Sequence, residues 1–133
     1  MPAITRIDFR IRTANQPGAG TDGDVWAAVA GREFYLDSSA NDFEQGDNRT
    51  YTCGDGSNIL NAADNDPRHP QLDTADVDRF PVYVRFEPGG NWVLEEAEVT
   101  VNPGPQQIKR RALVGGTQKL VLGPKASKVV FLK

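Results

Sequence analysis

Residues 18–46 read GAGTDGDVWAAVAGREFYLDSSANDFEQG, two loops rich in glycine and aspartate on either side of a pair of short apolar runs. In residues 25–29, Val25, Ala27 and Val29 alternate with Trp26 and Ala28, and this period of two is typical of a strand. Gly31-Arg32 indicates a turn, and residues 34–36 then predict a returning strand. This stretch therefore predicts a β-hairpin with a polar loop at each of its open ends.

Similar alternating patterns recur along the rest of the chain. Residues 7–11 and 82–86 alternate apolar and polar side chains, and residues 49–53 indicate another strand. In residues 92–101 the apolar positions change phase across Glu95-Glu96, which predicts a β-bulge in a long strand. Shorter runs follow after Asn102, separated by glycines. About eight short strands without a ten-residue helical pattern predict an all-β fold, an antiparallel sandwich or barrel.

Length and composition favour one soluble domain over residues 1–133. No apolar run approaches the roughly 20 residues of a membrane span. The N-terminus enters an alternating strand without an apolar signal core, so we expect a cytoplasmic protein or a domain excised from a longer chain. The single cysteine, Cys53, excludes an internal disulfide and is interpreted as a small buried strand residue.

Charge is distributed unevenly, although the net charge is only −3. Residues 1–102 hold all 18 Asp and Glu against eight Lys and Arg, whereas residues 103–133 hold seven Lys and Arg and no acid. The basic segment, represented by Lys109, Arg110 and Arg111, could meet phosphate head groups or an acidic protein. The alternative is a solvated face that complements the acidic part of the chain, and no nucleic-acid partner is expected.

The two aspartate-rich loops of residues 18–46 are a candidate cation site. Carboxylates from Asp22, Asp37 and Asp42, with backbone carbonyls, are the hard oxygen ligands that Ca²⁺ prefers. The alternative is that these aspartates form Asx-turns and cap loop amides. Phe43 is the one large apolar residue of the second loop, and we expect it to anchor that loop to the core.

Two further features leave their interpretation open. Trp26 is out of phase with its apolar neighbours, so it is either an exposed aromatic for a membrane or partner contact or a core residue. Residues 54–79 form a long acidic stretch with little periodicity, and loops of that length are often functional. Asp64-Asn65-Asp66 begins like an EF-hand loop, but His69 stands where that loop requires glycine, so the match is rejected.

No catalytic motif is present in the sequence. The chain has one His and contains no metalloprotease, phosphate-loop or Ser-His-Asp pattern. The sequence therefore predicts a protein without enzymatic activity.

Three motifs together resemble the PLAT domain (polycystin, lipoxygenase, alpha-toxin). Gly18-Ala19-Gly20-Thr21-Asp22 resembles its first loop motif, and Asn41-Asp42-Phe43-Glu44-Gln45-Gly46 resembles its second. Trp92-Val93-Leu94-Glu95 resembles the family's late tryptophan strand. The match covers roughly residues 4–102, and residues 103–133 are either additional strands of the family fold or a separate β-hairpin.

The resemblance implies an eight-stranded antiparallel sandwich of two four-stranded sheets. It also implies a non-enzymatic module that binds a lipid surface or a protein, often with Ca²⁺ in the loops at one end. Departures from the family motifs favour one calcium ion over two or three. Carried over by position, the implied ligand residues are Gly20, Thr21, Asp22, Asp37, Ser38, Asn41, Asp42 and Glu87.

Two functional hypotheses follow. In the first, the chain is a calcium-assisted binding module that attaches to a membrane lipid or protein partner, with Trp26, Lys109, Arg110 and Arg111 as candidate contacts. In the second, it is a structural subunit of a homo-oligomer or larger assembly, and the strands after Asn102 pair with the sheet edge of a neighbouring subunit.

Overall fold

The computed structural model describes residues 2–87, 90–113 and 120–133. Two short 3₁₀ turns, Ala62–Asn65 and Thr74–Asp76, interrupt the segment between the fourth and fifth strands. No helix in these ranges is long and apolar enough to cross a bilayer. The strands are β1 (Arg6–Thr13), β2 (Asp24–Val29), β3 (Arg32–Tyr35), β4 (Asn48–Gly54), β5 (Val82–Glu87), β6 (Trp92–Val101), β7 (Ile108–Leu113), β8 (Leu120–Leu122) and β9 (Val129–Leu132).

The strands form two antiparallel sheets that pack as the predicted β-sandwich. One sheet has the order β3-β2-β5-β9, and the other has the order β4-β1-β6-β7 with β8 also paired to β6. Strand β8 pairs with residues 92–94 and β7 pairs with residues 96–101, so the two strands follow one another along the same edge of β6. The expectation of two four-stranded sheets is therefore wrong by one strand, because two short strands share one edge position.

The predicted β-bulge in the long strand is confirmed. Arg12 lies opposite Glu96 and Thr13 lies opposite Leu94, so Glu95 is the additional residue in β6. The bulge changes the phase of the strand, which lets Trp92 and Ala97 both face the core although they differ in parity. The indole Nε1 of Trp92 donates a hydrogen bond to Thr13 Oγ1 at 2.9 Å, so the buried ring has its polar atom satisfied.

One hydrophobic cluster extends between the sheets, with members from Ile4 to Leu132. Phe9 packs against Phe34 with ring centroids 5.8 Å apart, which links the two sheets at the centre of the sandwich. Cys53 is buried as expected, and burial raises the pKa of its thiol to about 12. The strands after residue 102 complete both sheets, so the alternative of a separate β-hairpin is wrong.

The free edges of the sheets are occupied by groups from the same chain. Arg111 and Lys133 exchange backbone hydrogen bonds of 3.1 Å, which join β7 to the end of β9. On β4, the Asn58 side chain accepts from the Thr52 amide and donates to the Thr50 carbonyl, each at 2.8 Å. On β3, the Asn65 side chain accepts from the Tyr35 amide at 2.8 Å. On that side of the sandwich, side-chain amides thus make hydrogen bonds that a neighbouring strand would otherwise make.

The connections divide between the two ends of the sandwich. Strands β1, β3, β5 and β8 finish at one end, which we call the loop end, and their following residues 14–23, 36–47, 90–91 and 123–128 meet there. Residues 55–81, which we call the acidic segment, begin along the edge of β4, where the Leu60 amide donates to the Asp37 carbonyl at 3.0 Å. The segment then covers the opposite end, where the Ile4 amide donates to the Leu72 carbonyl at 2.9 Å.

Candidate calcium site at the loop end

Close contact between the first two loops builds the site. The Thr21 amide donates to the Phe43 carbonyl at 2.9 Å. A Cβ at Gly20 would lie 3.0 Å from the Gln45 amide nitrogen, so glycine permits this approach. As predicted, Phe43 anchors the second loop, because its buried ring packs 5.3 Å from Tyr51 and 5.4 Å from Trp92. The two loop motifs therefore hold each other in place at the top of the core.

One acidic cleft of about 170 Å³ brings most of the predicted ligand residues together. Its wall includes the side chains of Thr21, Asp22, Asp24, Asp37, Asn41 and Asp42. Sequence reasoning missed Asp24, because the first loop motif, from which the ligand residues were carried over, ends at Asp22. Tyr35 donates its hydroxyl to Asp24 at 2.6 Å, and this hydrogen bond is the first cause that raises the pKa of Tyr35 to about 12.

Asp42 organises the second loop. It accepts from the Ser38 amide at 2.8 Å, from the Ser38 hydroxyl at 2.6 Å and from the Tyr51 hydroxyl at 2.9 Å. Burial opposes ionisation of Asp42, but these hydrogen bonds outweigh it and lower the pKa. Ser38 thus contacts Asp42, although it does not line the acidic cleft. The hydrogen bonds of Asp42 are therefore those that the alternative of loop-capping aspartates predicts.

Asp37 and Asp42 lie side by side at the base of the cleft. Burial is the first cause that raises the pKa of Asp37, and the hydrogen bond and charge of Asp42 act in the same direction. Of the two carboxyl groups, Asp37 therefore binds a proton more readily than Asp42. A cation between them would offset the repulsion of two adjacent carboxylates when both are ionised.

The carboxylates of this cleft have no basic partner in the described part of the chain. Ion pairs join other acids to arginine or lysine, but none includes Asp22, Asp24, Asp37 or Asp42. No group of three or more His, Cys, Asp or Glu side chains is already arranged around a metal position among the described residues. The donor set consists of hard oxygens and fits Ca²⁺ in its chemistry, and the ligands require local rearrangement to converge.

The remaining predicted ligands lie beside the acidic cleft. Gly20 lines an adjoining cleft of about 400 Å³ with Thr21, Asp22, Glu44, Gln45 and Asn91. Glu87 lies opposite Asp24 in the sheet but outside the acidic cleft. Its side chain is 56% exposed and pairs with Arg85. The structure therefore does not bring Glu87 to the site, because the arginine two residues earlier on the same strand face binds it.

The predicted partner contacts are largely engaged within the chain. Trp26 is half-buried on the outer face of its sheet, where Tyr35 packs 4.7 Å from its ring and Arg85 lies 5.1 Å over it. It is thus neither an exposed aromatic nor a core residue. On β7, Lys109, Arg110 and Arg111 pair with Glu98, Asp78 and Glu96, respectively. Their contact with a partner stays a prediction.

Solved structures share this fold. The alpha toxin of Clostridium absonum matches 98% of the chain over 32% of its own length, with a TM-score of 0.67 and 20% identity. A coral 8R-lipoxygenase, described as activated by calcium via a C2-like domain, matches 90% of the chain over 17% of its length, with a TM-score of 0.57 and 18% identity. A lipoxygenase deletion variant matches 96% of the chain over 16% of its length, with a TM-score of 0.60 and 14% identity.

The chain thus spans a third or less of the length of these proteins. No protein-family model and no curated protein sequence matches it. At these identities the likeness concerns the fold, and it confirms the sandwich that the PLAT resemblance implies.

Proposed function

We propose that this chain is a PLAT domain, a non-enzymatic module that attaches to a lipid surface or a protein partner when Ca²⁺ binds at its loop end. The observation that carries the proposal is the acidic cleft, where Asp22, Asp24, Asp37 and Asp42 meet without a lysine or arginine partner in the described ranges. Carboxylates concentrated in this way favour an external cation, since their mutual repulsion is otherwise uncompensated.

One ion would be held by side chains from both loops. Asp22 and Asp24 would contribute from the first loop, and Asp37 and Asn41 from the second. Asp42 positions the second loop through Ser38 and Tyr51, and the cation would favour the ionised form of Asp37. When bound, Ca²⁺ supplies positive charge and open coordination positions for an anionic partner group.

The calcium-dependent interpretation agrees with the described activation of the coral 8R-lipoxygenase via a C2-like domain. That description concerns the lipoxygenase, and we extend it to this chain because the two share a fold and this chain has an acidic cleft at its loop end. We propose attachment as the role of the domain itself, with any catalytic activity belonging to other parts of a larger protein.

The test is thermal unfolding with excess Ca²⁺ and with a chelator. At a calcium concentration one hundred times Kd, binding to the native state stabilises the protein by about 2.7 kcal/mol. For a chain of this size the expected rise in Tm is about 8–13 °C. The double variant D22N/D37N should lose this rise, whereas D55N, an exposed aspartate at the opposite end, should retain it. Equal Tm values for the unmodified chain with calcium and chelator would contradict the proposal.

The assembly hypothesis has no support in the observed pairing. The strands after Asn102, which that hypothesis assigned to a neighbouring subunit, pair with β5 and β6 of their own chain. The edges of β3 and β4 are occupied by Asn65 and Asn58. Edge-to-edge association would therefore have to displace hydrogen bonds that are already made.

A further inference from the structure

Most cations of the described chain are neutralised from within it. Arg32 donates to three backbone carbonyls. Lys119 lies outside the described residues. In the described ranges, the lysines without an ion pair or a side-chain hydrogen bond are Lys125, Lys128 and Lys133, and all three are exposed. The cations that form ion pairs are Arg6, Arg10, Arg12, Arg49, Arg68, Arg79, Arg85, Lys109, Arg110 and Arg111.

Two of these three lysines lie at the loop end. Residues 123–128 connect β8 to β9, and the Gly123 amide donates to the Ser127 carbonyl at 3.1 Å. The Lys128 carbonyl accepts from the Phe86 amide at 2.9 Å, which fixes one side of this turn to the end of β5. A Cβ at Gly123 would lie 2.1 Å from Asn91 Oδ1, so the other side of the turn packs directly on Asn91.

Asn91 connects this turn to the candidate calcium site. It lines the cleft of about 400 Å³ that also includes Gly20, Thr21 and Asp22, and Asp22 in turn borders the acidic cleft. The lysines of the turn and the carboxylates of the loops are therefore parts of one continuous surface. Lys133, in contrast, follows β9 at the opposite end, where Leu132 pairs with Val82.

We infer that Lys125 and Lys128 form a second contact of the loop end with an anionic lipid surface, made by the lysines themselves and not through the calcium ion. This inference rests on the proposed function, because it concerns the same docking end. We therefore assign the basic contact to the turn 123–128 instead of Lys109, Arg110 and Arg111, which have acidic partners within the chain. The chemistry to be recognised is the phosphate and carboxylate layer of a membrane that contains acidic lipids.

A planar anionic surface fits the arrangement better than a partner that surrounds the domain. The loops and the turn project from the same end of the sandwich, so they can meet one plane together. Without calcium, the carboxylates of the acidic cleft oppose the lysines and repel such a surface. Calcium neutralises the cleft, and the lysines then add attraction that decreases with salt, as expected for charges within a Debye length of the membrane.

The experiment measures co-sedimentation with vesicles of neutral phosphatidylcholine and with vesicles that also contain phosphatidylserine, each with Ca²⁺ and with chelator. The variant K125Q/K128Q should lose about 25-fold in partition to the anionic vesicles with calcium, about five-fold for each lysine. K133Q is the matched control, since it removes one unpaired, exposed lysine at the opposite end and should bind as the unmodified chain does. Both variants should keep the calcium-induced rise in Tm.

The outcomes separate the two proposals. Unchanged anionic binding by K125Q/K128Q, or an equal loss in K133Q, would overturn the lysine contact while the calcium site stands. Absence of a calcium-induced Tm rise, with lysine-dependent binding retained, would overturn the calcium site alone. Binding of the unmodified chain to neutral and anionic vesicles alike, or to neither, would also overturn the lysine contact.

Discussion

The loop end and the acidic segment are both rich in aspartate, but in the described structure three aspartates of the acidic segment pair with arginines, whereas the four aspartates of the acidic cleft pair with none. In the acidic segment Asp66 pairs with Arg68 at 2.9 Å, and Asp76 pairs with Arg79 at 3.0 Å. At the loop end, Asp22 and Asp24 share a cleft without a basic partner in the described ranges. An aspartate-rich loop therefore indicates a cation site only where the chain itself has not supplied the cation.

Arg32 shows what an internal cation does for the acidic segment. Its guanidinium donates to the Asp66 carbonyl at 2.6 Å, to the Asp64 carbonyl at 2.8 Å and to the His69 carbonyl at 3.3 Å. Converging backbone carbonyls are also ligands that hard metal ions use. The arginine therefore fills a position that would otherwise suit an ion, and it fixes the segment to the turn between β2 and β3.

The strongest test of this comparison is to remove that internal cation. We expect R32M to lower the free energy of unfolding by about 3 kcal/mol, because charge-assisted hydrogen bonds to several carbonyls are lost together. Urea unfolding measures the change. R79M is the matched control, since the Arg79 side chain is 70% exposed and its ion pair should contribute less than about 1 kcal/mol. Equal effects of the two substitutions would mean that the carbonyl cluster does not depend on Arg32.

Asp66 should make the acidic segment sensitive to acid. The hydrogen bond from Arg68 is the first cause that lowers the pKa of Asp66 to about 2. Stability from this carboxylate is therefore present above the ordinary pKa of about 3.9 and lost as the pH falls towards 2. We expect D66N to lower the free energy of unfolding by about 1–2 kcal/mol at pH 7, after allowing for solvent screening of Arg68. In urea unfolding at several pH values the difference should vanish between about pH 4 and pH 2, and a pH-independent difference would contradict this assignment.

Asp37 should show the opposite sign at the loop end. Its pKa is raised, first by burial, so the folded state favours the protonated carboxyl, and the stability that this proton gives is lost as the pH rises from the ordinary pKa through the folded pKa. We therefore expect D37N to unfold at higher urea concentration at pH 7 without calcium, by about 1 kcal/mol, the scale of one like-charge contact. The gain should disappear below the ordinary pKa of a carboxyl group. Lower stability of D37N at pH 7 would show that the charge is already compensated.

The smallest effect is expected where the acid of an internal pair is largely exposed to solvent. Asp78 pairs with Arg110, but its side chain is 82% exposed. We expect D78N to change the free energy of unfolding by less than about 0.5 kcal/mol, because solvent screens such pairs. A larger loss of stability would show that β7 also belongs to the part of the molecule whose charges are neutralised within the chain.

Alternation along the chain was sufficient to predict most of the fold. The phase change between Leu94 and Ala97 predicted the bulge, since a strand can keep both residues in the core only by adding one residue between them. Phe43 was recognisable as an anchor because it is the single large apolar residue of a polar loop. The sharing of one edge by β7 and β8 was not predictable, since periodicity does not specify which strands become neighbours.

The candidate site was predictable in its loops but not in its exact residues. Asp24 was missed because the family motif ends at Asp22, although Asp24 also lines the cleft. Glu87 was assigned to the site although Arg85, two residues earlier, occupies the same strand face and pairs with it. The partners of Lys109 and Arg111 depend on the register between β6 and β7, which pairs Thr100 with Lys109 and Glu98 with Arg111. Sequence proximity does not reveal contacts of that kind.

The asparagines that cover the edges of β3 and β4 have a consequence for long-term solubility. An uncovered strand edge is a template on which fibrils can grow, and a carboxamide bonded to that edge blocks the first step. At Asn58 the NH₂ group donates to the Thr50 carbonyl, and the side-chain oxygen accepts from the Thr52 amide. Deamidation would convert this donor into a carboxylate oxygen that repels the carbonyl. A single hydrolysis at this side chain would therefore free the Thr50 carbonyl of β4 for a strand of another molecule, while the Thr52 amide would keep its acceptor.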